Sequence, residues 1–145
     1  MQILFVCTGN TCRSPMAQEI AKFNFKNRGI DAIIESRGIY VVSKSPSVHA
    51  VATIKSLLGI SIQDHVPKRV SRDDIEKASL IMTMSPSHKA HLDSVFPDCA
   101  YKIHTIAEFC GEKEHIDDPF GGTISDYSKC AAQLQKYIRK MEELL

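Results

Sequence analysis

The sequence predicts an α/β domain in which a parallel sheet carries helices on both faces. Two observations lead there. Short apolar runs alternate with segments of helical period along the chain, and the first apolar run ends in a glycine-containing loop that opens a helix. A length of 145 residues at 43% hydrophobic composition suits one domain spanning 1–145.

The opening Ile3-Leu4-Phe5-Val6 is short and continuously apolar, as expected of a strand buried on both faces, and it stops at Cys7. After the polar residues Thr8 to Thr11, Ser14 is placed to cap a helix and Pro15 to take its first position. That helix runs toward Gly29, with Met16, Ala17, Ile20, Ala21 and Phe23 as its apolar stripe. Ala32 to Glu35 reads as a second strand, Ser47 to Leu58 as a helix closed by Gly59, Leu80 to Met84 as a third strand and Lys102 to Ile106 as a fourth. Ser71 with Asp74 resembles a capping box and Ser85-Pro86 a helix start, so a short helix follows each. The last helix runs from about Asp126 to Leu144, with Tyr127, Ala131, Leu134, Ile138, Met141 and Leu145 on its core face. Before it, Gly111 to Ser125 has neither period and reads as a loop carrying Asp117-Asp118-Pro119-Phe120-Gly121-Gly122.

Composition narrows the function. Lys and Arg total 18 against 17 Asp and Glu, a formal charge of +1, so no bulk field recruits nucleic acid or an acidic membrane. The apolar start is too short for a signal-peptide core and lacks a basic lead, which predicts a cytoplasmic protein. Five dispersed cysteines do not make a disulfide framework; in a reducing compartment they remain thiols. His88 and His91 lie three apart on an expected helix without a third ligand nearby in sequence, so they read as surface histidines. Neither a metal nor a cofactor is expected.

Ligands of parallel sheets bind at the carboxyl ends of strands, and the first strand ends at Cys7. Cys7-Thr8-Gly9-Asn10-Thr11-Cys12-Arg13-Ser14 then combines a tight loop with a helix start. Converging N–H groups of such a loop and the partial positive charge of the helix make an anion cradle, which suits phosphate. A cysteine at its mouth near a permanently charged guanidinium is expected to have a depressed pKa and to act as a nucleophilic thiolate. Arg13 can clamp two phosphoryl oxygens with its planar fork, and the Ser14 hydroxyl can support the sulfur. The stretch lacks the Gly-Lys-Ser/Thr ending of nucleotide-binding loops. A leaving group needs a proton, and Asp118, held extended by Pro119 on a glycine-rich loop, is the candidate acid, with Asp117 as its competitor. Cys12 is either a small buried residue or a thiol able to trap an oxidised Cys7.

The stretch Cys-Thr-Gly-Asn-Thr-Cys-Arg-Ser-Pro-Met-Ala, with Asp-Pro-Phe-Gly-Gly near the C-terminus and a chain of this length, resembles the low-molecular-weight protein tyrosine phosphatase family. The resemblance implies a three-layer α/β fold, a four-stranded parallel sheet with helices on both faces and the phosphate-binding loop, Thr8 to Ser14, after the first strand. It also implies Cys7 as nucleophile, Arg13 as phosphate binder, Asp118 as general acid, and Ser36 and His65 as supports of Asn10. Arg37, where a small residue is common, and Gln18, where glutamate is common, depart from the pattern. Thr11 stands where tyrosine phosphatases carry a bulkier aliphatic residue, and with the Asp-Pro-Phe-Gly-Gly loop it is similar to the bacterial protein arginine phosphatase branch. That similarity implies phosphorylated proteins as partners and Thr11 and Phe120 as specificity positions. The alternatives are phosphotyrosine as substrate and arsenate reduction on the same fold. Arsenate reduction would need a cysteine relay, for which Cys99 and Cys110 are the candidates, and Pro15 differs from the glutamine usual after Arg-Ser in those reductases.

Overall fold

β1 (Gln2–Cys7) lies inside a four-stranded, all-parallel sheet, between β2 (Ile33–Gly38) and β3 (Leu80–Thr83), with β4 (Ile103–Thr105) beyond β3. The computed structural model describes residues 1–145. The helices are α1 (Arg13–Asn27), α2 (Val48–Leu58), α3 (Arg72–Lys77), α4 (Pro86–Val95), α5 (Ile106–Phe109) and α6 (Ile124–Leu144), and a 3-10 turn at Pro97–Lys102 precedes β4.

Strand alternation explains the three layers. Ile3, Phe5 and Cys7 point into a cluster of 27 buried residues shared with α1, α2 and α6, whereas Leu4 and Val6 point into a cluster of 9 shared with α3, α4 and the 3-10 turn. No helix is long and apolar enough to cross a membrane.

Several boundaries differ from the sequence expectation. α1 begins at Arg13 with Cys12 before it, so Ser14 and Pro15 lie inside the first turn, and no side chain caps the helix. Its stripe uses Phe25, 1% exposed, in line with Ala17 and Ala21 at i+4, while Phe23 is 42% exposed. β2 continues to Gly38 because Ser36, Arg37 and Gly38 stay in register with Phe5, Val6 and Cys7. β4 is confined to three residues by the 3-10 turn and by Thr105, whose hydroxyl accepts from Glu108 N–H and starts α5. α6 starts two residues early, on a Thr123–Asp126 capping box, and Leu145 falls past its end and is exposed. The capping serine Ser71 and the left-handed Gly59 stand where expected, while Ser47, read as the first helical residue, caps α2 from outside it.

Gly38 brings β2 against the loop that follows β1. A Cβ there would sit 2.8 Å from the Thr8 carbonyl oxygen, 2.7 Å from Val41 Cγ2 and 3.1 Å from Asn10 Cβ, so a side chain would push the loop away.

Candidate active site

The loop between β1 and α1 turns at Asn10, the one non-glycine residue with positive φ (57°), and not at Gly9. Asparagine tolerates this left-handed conformation better than most residues, and the surroundings fix it. Its amide donates to Ser14 Oγ at 2.8 Å and Ser36 Oγ at 3.0 Å, its Oδ1 accepts from the Lys68 N–H at 3.1 Å, and its carbonyl pairs with His65 Nε2 at 3.0 Å. Ser36 and His65 thus both reach Asn10, one at the side chain and one at the backbone. The Lys68 contact, 58 residues away, has no signal in the sequence.

Ser14 carries this network to the sulfur. Its Oγ accepts from Asn10 and has two acceptors within reach of its own proton, Cys7 Sγ at 2.8 Å and the Arg37 carbonyl at 3.4 Å, of which the sulfur is the nearer. The expected depressed pKa needs correction: Cys7 is 2% exposed, and burial pushes its thiol up from the ordinary value. The Ser14 hydroxyl, the Arg13 guanidinium and the Ser14 and Asn10 N–H groups pull it back. Ser14 is the strongest of these, so Ser14→Ala should shift the midpoint of Cys7 alkylation by iodoacetamide to higher pH, and an unmoved midpoint would contradict its role.

Arg13 is 5% exposed and ties the phosphate-binding loop to the acid loop: its guanidinium donates to the Ile116 carbonyl at 3.0 Å and lies 3.6 Å from Asp118 Oδ2. Asp118 Oδ1 accepts from the Phe120 N–H at 3.1 Å, a local turn that holds the carboxylate, whose side chain is 51% exposed. Asp118 lines a cavity of about 510 Å³ together with Cys7, Thr8, Thr11, Arg13 and Phe120. Asp117 lies outside that lining, in a smaller hollow of about 210 Å³ that Asp118 and Phe120 also line.

Thr11 and Phe120 both line the cavity, and Phe120 is 75% exposed at its rim beside Tyr40, Val42 and Val48. Cys12 is buried, with Sγ 3.2 Å from the Tyr127 hydroxyl, which accepts from Ser47 Oγ at 2.9 Å. Cys99 packs on the opposite sheet face from Cys7, and Cys110 donates to the Tyr137 carbonyl; neither lines the cavity, so they form no relay there. Arg37 bridges Glu35 and Asp74, and Gln18 pairs with Glu19, both outside the cavity.

His88 overturns its reading as a surface residue. It is 5% exposed, with Nε2 2.8 Å from Thr8 Oγ1, because α4 begins at the carboxyl end of β3, the strand next to β1. Its place in the first turn of a helix that follows a strand end is the signal for it in the sequence.

A buried cysteine facing an uncapped helix start, an arginine fork and a carboxylate across one cavity define a cysteine-dependent phosphatase site on a three-layer α/β fold. The family model for low molecular weight phosphotyrosine protein phosphatases matches residues 2–145, and the chain belongs to that family. It is 32% identical to a protein-arginine-phosphatase of Bacillus subtilis (strain 168), over 100% of this chain and 97% of the relative. It is 39% identical to the low molecular weight protein-tyrosine-phosphatase PtpB of Staphylococcus haemolyticus (strain JCSC1435), over 97% of each. Among solved structures, a low molecular weight protein tyrosine phosphatase from T. tengcongensis superposes with a TM-score of 0.96 at 41% identity, covering 100% of this chain and 99% of that one.

Proposed function

We propose that this phosphatase removes phosphoryl groups from phosphoarginine side chains of proteins through a phosphocysteine intermediate on Cys7. The Cys7 thiol gives its proton to an oxygen of the incoming phosphoryl dianion and attacks phosphorus as the thiolate, the P–N bond breaks, and the leaving guanidine nitrogen takes the proton of Asp118. Asp118, now a carboxylate, accepts a proton from water as that water attacks the phosphocysteine; the S–P bond breaks, and Ser14 donates to the departing sulfur. Arg13 and the loop N–H groups hold the equatorial oxygens in both steps.

Thr11 carries the choice of substrate. Its hydroxyl stands over Gly9 at the cavity wall, where a Cβ on Gly9 would lie 3.7 Å from Thr11 Oγ1. A short polar side chain there leaves room for a planar guanidino group and a partner for its N–H donors, and Asp118, the cavity's one carboxylate, can pair with the cation that leaves. The exposed Tyr40 and Phe120 favour a second reading, phosphotyrosine, since they can flank an aromatic ring.

Comparing kcat/KM on phosphoarginine and phosphotyrosine peptides separates the two. The native chain is expected to favour phosphoarginine, and Thr11→Ile to lower that activity about tenfold while sparing phosphotyrosine. A native preference for phosphotyrosine, or a preference unmoved by the substitution, contradicts the arginine reading. Five free thiols suit a reducing compartment such as the cytosol. Cys12 can serve as the thiol that traps oxidised Cys7 only after giving up its contact with Tyr127.

A further inference from the structure

Thr8 sits between the nucleophile and α4, and its hydroxyl meets one protein partner, His88 Nε2. The other ring nitrogen, Nδ1, is buried without a partner. Burial, with Arg13 nearby, pushes the His88 pKa down to about 4, against the opposing influence of Asp118, so the ring is neutral near pH 7 and carries a single N–H. If that proton sat on Nδ1, a buried donor would go unpaired, whereas on Nε2 it leaves only a bare lone pair inside, the cheaper arrangement. Nε2–H therefore donates to Thr8 Oγ1. The threonine's own proton is then unused by the protein, on an exposed residue that lines the cavity with Cys7, Arg13 and Asp118.

We propose that His88 is a positioning residue that fixes the Thr8 hydroxyl as a hydrogen-bond donor to the phosphoryl group in the cavity. The inference rests on the phosphatase reading and adds a donor held from α4. Without the imidazole, the threonine hydroxyl rotates freely and its proton has no fixed direction. Thr8 then touches the reacting group, and His88 acts only through it.

The test uses para-nitrophenyl phosphate turnover and orthovanadate binding with Thr8→Val, His88→Leu, His88→Gln and the Thr8→Val/His88→Leu double variant. Thr8→Val keeps the side-chain shape and should lower kcat about tenfold with a smaller change in KM, and weaken vanadate by a similar factor. His88→Leu should match it, and the double variant should lose no more than either single one. His88→Gln, whose amide N–H reaches a similar position, should recover most of the loss. A Thr8→Val variant with native kcat, or additive losses in the double variant, overturns the proposal. If His88→Leu fails to fold, Thr8→Val and His88→Gln decide, since Thr8 is exposed. A native chain that does not hydrolyse the ester overturns the phosphatase reading instead, which keeps the two failures distinguishable.

Discussion

Replacing Cys7 with serine should abolish turnover, by roughly 10⁵- to 10⁶-fold, while leaving inorganic phosphate able to bind. Serine keeps the shape of the side chain but not its chemistry: a hydroxyl ionises far less readily than a thiol, and no general base reaches it here. Its immediate partner is the Ser14 hydroxyl at 2.8 Å, itself held by Asn10. The anion cradle survives, because the N–H groups of the loop, the start of α1 and the Arg13 guanidinium are untouched. Phosphate affinity by calorimetry and kcat on para-nitrophenyl phosphate check the two halves separately. Measurable turnover by Cys7→Ser would place the nucleophile elsewhere.

Arg13→Lys should cost roughly 10³-fold in kcat/KM and, unlike Cys7→Ser, should also weaken phosphate binding. Arg13 spends one side of its fork on the Ile116 carbonyl and keeps the other near Asp118. A lysine ammonium is a point charge without that fork and cannot hold the acid loop and two phosphoryl oxygens together. Little of this is stability. The Arg13–Asp118 contact is long, at 3.6 Å, and its carboxylate is half exposed. A pair of that kind contributes under about 1 kcal/mol. The expected signature is therefore a large kinetic loss with little change in thermal unfolding, and a lysine variant within tenfold of native activity would show that the fork is not needed.

What the sequence made legible was local chemistry. The run Ile3 to Val6, the turn through Asn10 and the helix after it are neighbours in sequence, so their periods and residue types define the anion cradle without tertiary information. Ser71 and Gly59 are readable for the same reason, since capping acts over three or four residues. What escaped depends on approach across the fold. His88 meets Thr8 across 80 residues, Lys68 reaches Asn10 across 58, and Gly38 matters only because β2 abuts the loop. Ser14 was misplaced for a different reason: serine before proline is the ordinary sign of a helix cap, but here the helix starts earlier and the hydroxyl turns to the sulfur. The raised Cys7 thiol had no local sign either, because the closure of the core around it outweighs the charge that sequence spacing reveals.

The central claim is that phosphate passes through Cys7. Rapid mixing of the native chain with excess para-nitrophenyl phosphate, quenched within the first turnover and analysed by peptide mass spectrometry, tests it most directly. The account predicts one phosphoryl group on the peptide bearing Cys7, appearing with a burst of nitrophenolate and absent from Cys7→Ala. Steady turnover without phosphate on Cys7 at any time point would contradict it.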